Sequence, residues 1–247
     1  MKILVACEES QTVTKAFRKL GHEAYSCDIL PPTGGKDEWH IITDVLKIIN
    51  GHCSFRTVMG EKILIKQRWD MIIAFPPCTH LAVSGARHFE KKREDGRQYD
   101  GIKFFMEILT ANCDKLAVEN PVNIISGKYI KKWFPTLCEQ YSLPIPTSQI
   151  IQPYQFGHNA SKKTCLWLKG LPLLKPTKLV QYDNFVIIGK DNKKYAKNTA
   201  WFKDENGKTI SWSNPMTAKL RSKTFTGIAE AMAIQWGGSY ENRKILH

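Results

Sequence analysis

The sequence predicts an α/β fold: a doubly wound, mostly parallel sheet with helices on both faces, followed by a small mixed lobe. Two observations carry that prediction. Through about residue 145, short apolar runs of strand length alternate with stretches of helical periodicity, the pattern of a parallel sheet built from crossover units. After Lys175 the chain turns polar and rich in lysine and aromatic residues, so the alternation stops there. At 247 residues and 43% hydrophobic content, the chain is long enough to bury a sizeable core.

KILVAC (2–7) is the first strand. It is followed by SQTVTKAFRKLGHE (10–23), where Val13, Phe17 and Leu20 recur at helical spacing, Ser10 is placed to cap the start and Gly21 to end it. EAYSCDI (23–29) reads as a second strand, PPTGG (31–35) as a loop, and HIITDVLKII (40–49) as a short strand turning into a helix. Residues 50–67 are weakly patterned. WDMIIAF (69–75) and KLAVEN (115–120) are two more buried strands, with a helix in GIKFFMEILTAN (101–112) between them. In the lobe, Asn206-Gly207 marks a hairpin inside TAWFKDENGKTISWS (199–213). TFTGIAEAMAIQWG (224–237) is an apolar-faced helix. The expected division is an α/β domain over 1–170, a small hairpin-containing lobe over 171–215, and a C-terminal helix over 216–247 that returns to the first domain.

Charge narrows the partner. Thirty-six Lys and Arg against 23 Asp and Glu give +13. At this size such an excess points to a polyanion, and nucleic acid before any other; solubility is the plainer reading. No apolar run approaches the ~20 residues of a membrane span, and the N-terminus has no signal-peptide pattern. Seven cysteines without a C-x-x-C pair argue against a disulfide framework and a structural zinc site. Seven histidines show no ligand spacing, so no metal is expected. The expected setting is the cytoplasm, with reduced thiols.

In open α/β sheets, ligands bind beyond the carboxyl ends of the strands. Two strands end in unusual chemistry, one in Pro76-Pro77-Cys78 and the other in Glu119-Asn120-Pro121. Singly, a cysteine is usually a small hydrophobe and Glu-Asn-Pro a turn. Together, on neighbouring strands, they offer a thiol and a carboxyl to one crevice, on loops stiffened by proline. That pair suits a pyrimidine. C5 of cytosine is a poor nucleophile until a thiolate adds at C6 and breaks the aromatic ring, with an acid at N3 stabilising the developing charge. The carboxyl then needs a raised pKa and the thiol an electropositive setting.

These residues carry a family likeness. The chain resembles the small DNA cytosine-5 methyltransferases of phages and prophages. PPCTHLAVSGAR (76–87) resembles their Pro-Cys nucleophile motif and AVENPV (117–122) their Glu-Asn motif, and the 41-residue step from Cys78 to Glu119 (119 − 78) fits. FGHNASKKTCLWLKG (156–170) resembles the later segment lying over the target base. SKTFTGIAEAMAIQW (222–236) resembles the C-terminal element that closes the cofactor site.

The resemblance implies a Rossmann-like methyltransferase fold, S-adenosylmethionine as cofactor and double-stranded, cytosine-containing DNA as partner. It makes Cys78 the nucleophile and Glu119 the acid, with Lys163 beside the reaction. Cys7, Glu8, Glu9 and Ser10 would pass the methionine moiety, Asp28 would take the ribose hydroxyls and Asp44 would face the adenine amino group. Ile29, Pro76 and Thr224 complete the cofactor set. Pro77, Ser84, Asn120, Pro121 and Lys162 would meet the target nucleotide. In the lobe, Lys193, Lys194, Lys197 and Lys208 would meet the rest of the DNA. An ordinary strand-end turn is the plainer role for either aspartate, and surface solvation for either lysine of the 162–163 pair.

Two departures stand out. The family's first motif carries Phe-x-Gly-x-Gly, whereas this chain has VACEESQTV (5–13), with no glycine and two glutamates. Where the family places arginines over the base, this chain has Lys162 and Lys163, point charges without a fork. Another cytosine C5 alkylation, an RNA substrate, and a nucleic-acid-binding protein that keeps the fold without turnover all stay open. Thymidylate synthases also place a Pro-Cys before a histidine, but their other motifs are absent and a mononucleotide does not call for +13.

Overall fold

A seven-stranded sheet organises the chain. The computed structural model describes residues 1–181, 185–188, 194–197 and 222–238. Its first strands are β1 (Lys2–Ala6), β2 (Glu23–Asp28) and β3 (His40–Ile42), which step outward in parallel to one side. The chain then crosses back. β6 (Met71–Ala74) pairs in parallel with the other side of β1, and β7 (Leu116–Pro121) pairs in parallel with β6. β9 (Thr164–Lys169) runs antiparallel to β7, and β8 (Gln149–Ile151) antiparallel to β9 at the edge. The spatial order is β3-β2-β1-β6-β7-β9-β8. Strand order reverses between β1 and β6, and in open α/β sheets the carboxyl ends at such a reversal are where ligands bind.

Alternation along each strand feeds two separate cores. Leu4, Ile72 and Val118 join Phe105 and Trp167 on one face. Ile3, Val5, Ile73 and Ala117 join Phe17, Met232 and Trp236 on the other. Helix α1 (Thr12–Lys19) packs against the last helix, α6 (Thr226–Gly237), over the second face. α3 (Arg97–Leu109) covers the first with Ile102, Phe105, Met106 and Ile108. Between them lie α2 (Phe89–Glu94), α4 (Tyr129–Trp133) and α5 (Pro135–Tyr141).

Three local expectations are corrected. Residues 50–67 hold an antiparallel pair, β4 (Cys53–Arg56) with β5 (Lys62–Ile65), whose Phe55, Ile63 and Ile65 reach the core. The helix expected within 40–49 is a single 3-10 turn, Val45–Lys47, capped by Asp44 through Leu46 N–H at 3.0 Å. Ser10 does not cap α1. The carboxyl of Glu8 does, accepting from Val13 N–H at 2.6 Å, Thr14 N–H at 3.2 Å and the Thr14 hydroxyl at 2.7 Å.

In the later part of the chain, β10 (Phe185–Ile188) and β11 (Lys194–Lys197) pair antiparallel. The Asn206-Gly207 turn, Lys193 and Lys208 lie outside the described residues. Among the described residues, no helix is long and apolar enough to cross a membrane.

Candidate functional site

The loops after β6 and β7 are fastened to each other. Asn120, 1% exposed, donates its side-chain N–H to the Pro76 carbonyl at 2.8 Å, and Asn123 donates to the Asn120 side-chain oxygen at 3.0 Å. Val83 N–H reaches the Val122 carbonyl at 3.0 Å, and Ile124 N–H the Leu81 carbonyl at 3.1 Å, with Ala82 bridging Asn123. Cys78 sits in the tight turn this bracing supports. Its carbonyl accepts from Leu81 and Ala82 N–H at 3.0 and 2.9 Å, and the residue is half-buried. Pro76 is buried, Pro77 exposed, and Ser84 exposed on the following 3-10 turn.

Glu119 lies one residue past Val118, which pairs with Ala74 at the end of β6. Its Oε1 is buried and has no hydrogen-bond partner among the described residues. Burial raises its pKa, while the charge of Lys162 pulls it down. A buried carboxyl with an unused oxygen is costly as a carboxylate and is eased by a proton. Lys162 is half-buried, and its backbone N–H donates to Gln152 Oε1 at 2.9 Å. Lys163 is exposed and acts on the Cys165 thiol, which burial raises to about 11. Of the two lysines, the one whose charge reaches Glu119 is Lys162. Pro121 is half-buried opposite Thr164 on β9.

Across the crevice, the turn after β1 is built without glycine. Cys7 and Gln11 both take left-handed backbone, each at φ 57°, where a side chain is tolerated at a cost. Glu8, expected to line the cofactor loop, turns inward with 4% exposure to cap α1. Burial pushes its pKa up to about 7 against its three hydrogen bonds. Gln11 ties the turn to the next loop, exchanging hydrogen bonds with the Lys36 backbone at 2.8 and 3.0 Å. Glu9 contributes its carbonyl to Thr33 N–H at 2.8 Å, and the Ser10 and Thr12 hydroxyls lie 3.1 Å apart.

The remaining carboxylates gather here. Asp28 and Asp44 both act on the Cys7 thiol, which burial first and these charges next push well above its ordinary value. Cys7 is therefore a neutral thiol. Asp28 Oδ1 accepts from Leu30 N–H at 3.0 Å, the turn role open to any strand-end aspartate. Beside it Ile29 is 73% exposed, a large apolar side chain at the crevice rim. Thr224 is half-buried in the segment leading into α6.

Sequence reasoning missed two features. Lys92 is only 9% exposed, and its ammonium donates to the Thr79 carbonyl, directly after Cys78. Nothing in HFEKKRE (88–94) distinguishes it from its solvated neighbours. His158 Nε2 accepts from Gly227 N–H at 2.9 Å, clasping the 156–163 segment to α6. A Cβ on Gly227 would stand 1.9 Å from the Phe156 carbonyl oxygen, so this approach requires glycine. The pairing of His158 with a distant glycine has no local signal.

No family model matches the chain, and no curated protein matches it. Solved structures do. One is described as a DNA modification methyltransferase encoded within a prophage of E. coli; it is 12% identical, over 73% of this chain and 52% of that one, with a TM-score of 0.44. Another is a methyltransferase of Entamoeba histolytica, 11% identical over 75% of this chain and 58% of that one, with a TM-score of 0.39. The chain thus spans little more than half the length of either.

The residues present fit the nucleoside half of a nucleotide-like cofactor. Two carboxylates stand ready for hydroxyl and amino donors, and exposed Ile29 offers a flat ring an apolar face. The buried carboxyl of Glu8 is committed to α1 and takes no part.

Proposed function

We propose that this chain transfers a methyl group from S-adenosylmethionine to C5 of cytosine in DNA. One observation carries the reading: a buried, unpartnered acid oxygen on Glu119, on a strand whose end is fastened to the loop that holds Cys78. The bound cofactor supplies an electrophilic methyl group. Cys78 Sγ bonds to C6 while Glu119 holds its proton at N3, so electron density gathers on C5. After transfer the C5 proton leaves to solvent water. Its electron pair restores the C5–C6 double bond and expels Cys78 as a thiolate, and Glu119 takes back the N3 proton. Asp28, Asp44 and Ile29 orient the cofactor, and Asn120 and Asn123 fix the loop. Lys162 keeps positive charge beside the acid. A stacked cytosine is out of a thiol's reach, so the base must be flipped into the crevice.

Residues 171–215 act in this reading as the recognition lobe. Lys193, Lys194, Lys197 and Lys208 would neutralise the DNA phosphates.

The test is trapping. A duplex with 5-fluorocytosine at the target should form a covalent adduct with the wild type, because fluorine at C5 does not leave as a proton. Cys78→Ala should form none and should leave no 5-methylcytosine in DNA from expressing cells, read by nucleoside mass spectrometry. Undiminished turnover by that variant would remove the assignment.

A further inference from the structure

The described residues hold a basic surface joined to the nucleophile loop. Residues 87–97 and 128–133 contain eight Lys and Arg against three Asp and Glu. Of the acids, Asp95 is taken by Arg97. Lys91, Lys128, Lys131 and Lys132 are exposed, and none forms an ion pair among the described residues. Unpaired like charges repel, so their gathering on one face asks for an anion.

Aromatic rings order this face. The Arg93 guanidinium stacks 3.9 Å from the Trp133 ring centroid and donates to the Tyr129 hydroxyl; the Lys132 ammonium lies 4.8 Å from the same tryptophan ring. Trp133 is 42% exposed although large and apolar. Held on a ring, a cation loses less freedom on binding than one on a free stem.

The face is also wired to the chemistry. The Tyr129 hydroxyl donates to Gln98 Oε1 at 3.0 Å, and Gln98 donates to the His80 carbonyl at 3.0 Å. Lys92, between Lys91 and Arg93, holds the Thr79 carbonyl. Two independent links therefore run from α2, α3 and α4 to the two residues after Cys78.

We propose that the α2–α4 face binds the phosphate backbone of duplex DNA beside the flipped cytosine. The inference rests on the reading of the chain as acting on DNA, and it adds a second contact zone to the one proposed for residues 171–215. Seating the backbone here would couple its position to the Cys78 loop through Lys92 and Gln98.

The experiment measures binding, not turnover. Lys128→Gln, Lys131→Gln and Lys132→Gln are combined, with Lys47→Gln, Lys62→Gln and Lys66→Gln as a control set of exposed lysines on and near the β4–β5 hairpin. Anisotropy of a labelled 20-base-pair duplex is followed across a salt series, and circular dichroism verifies folding. Each phosphate contact contributes about 0.9 to the slope of log affinity against log salt. The α4 triple should flatten that slope by about 2 to 3 and weaken all duplex sequences alike, with the control set unchanged. Equal slopes for the two triples would overturn the proposal. So would an RNA hairpin or a polyglutamate peptide that binds as tightly as the duplex and loses as much in the α4 triple. A flattened slope with no methylation would retain the surface and sink the catalytic reading. Methylation with an unmoved slope would do the reverse.

Discussion

The turn after β1 and the loop after β6 leave neighbouring parallel strands at the same end of the sheet, yet they are held by opposite means. The first is held largely by its own side chains: Glu8 caps the helix that follows, and Gln11 grips the Lys36 backbone. The second is held by its neighbours, through the Asn120 and Asn123 amides, the Val122 and Ile124 backbone and the Lys92 ammonium. In the turn after β1 the brace includes an acid that titrates. At the thiol end the bracing amides do not. The two loops should therefore respond differently to pH, although both leave the same end of the sheet.

The largest expected effect falls on the thiol side. Glu119→Gln keeps the shape and loses the proton, which should lower the rate by ~10²–10⁴ with little change in melting temperature. Because burial raises the Glu119 pKa, the wild-type rate should fall as pH rises through that raised value. In the variant this alkaline limb should disappear, as single-turnover kinetics across pH will reveal. A retained limb would assign the titration to another group.

The next effect separates the two ends by stability. Folding raises the Glu8 pKa from 4.5 to about 7, so the native state holds this proton more tightly than the unfolded chain. That contribution is complete below the unfolded value and is lost as pH rises towards 7, a change on the order of a few kcal/mol. Chemical denaturation at pH 4.5, 6 and 8 should show the loss, and Glu8→Gln should abolish it. If the variant falls as steeply as the wild type, the cap is not the titrating group.

Removing the amide brace should cost less. Asn123→Ala leaves the Asn120 oxygen unpaired, about 1–3 kcal/mol of stability, with no new pH dependence. Turnover should fall while cofactor affinity, read by calorimetry, holds; a matching loss of affinity would mean that the two ends are not separable. Smallest is Asp28→Ala. It removes hydroxyl contacts of ~0.5–1.5 kcal/mol each, so affinity should weaken several-fold to tens-fold with the Glu119 pH limb intact.

Much of the sheet was legible because its strands are buried on both faces and therefore read as continuous apolar runs, as in Met71–Ala74 and the first three residues of β7, Leu116 to Val118. The β4–β5 pair was not. Each strand is four residues long with only alternate side chains inward, and the connecting residues lack an Asn-Gly or Asp-Gly signal. The Glu8 cap escaped because it reaches past Gln11, whose left-handed backbone is no ordinary helix entry. At the candidate site, the Pro-Cys and Glu-Asn-Pro runs marked strand ends that the fold sets side by side. Local sequence could not show that Lys92 is buried under the thiol loop, or that Lys162 rather than Lys163 acts on Glu119. Both follow from residues distant in the chain.

β7 is paired along both edges, by β6 on one side and along all six of its residues by an antiparallel β9 on the other. Its amides should be among the last to take up deuterium, exchanging only when the whole molecule opens, whereas the amides of residues 78–80 should exchange through local opening. Glu119 is in that sense a stationary post. In the proposed reaction the acid would then be the fixed point against which thiol and base are placed.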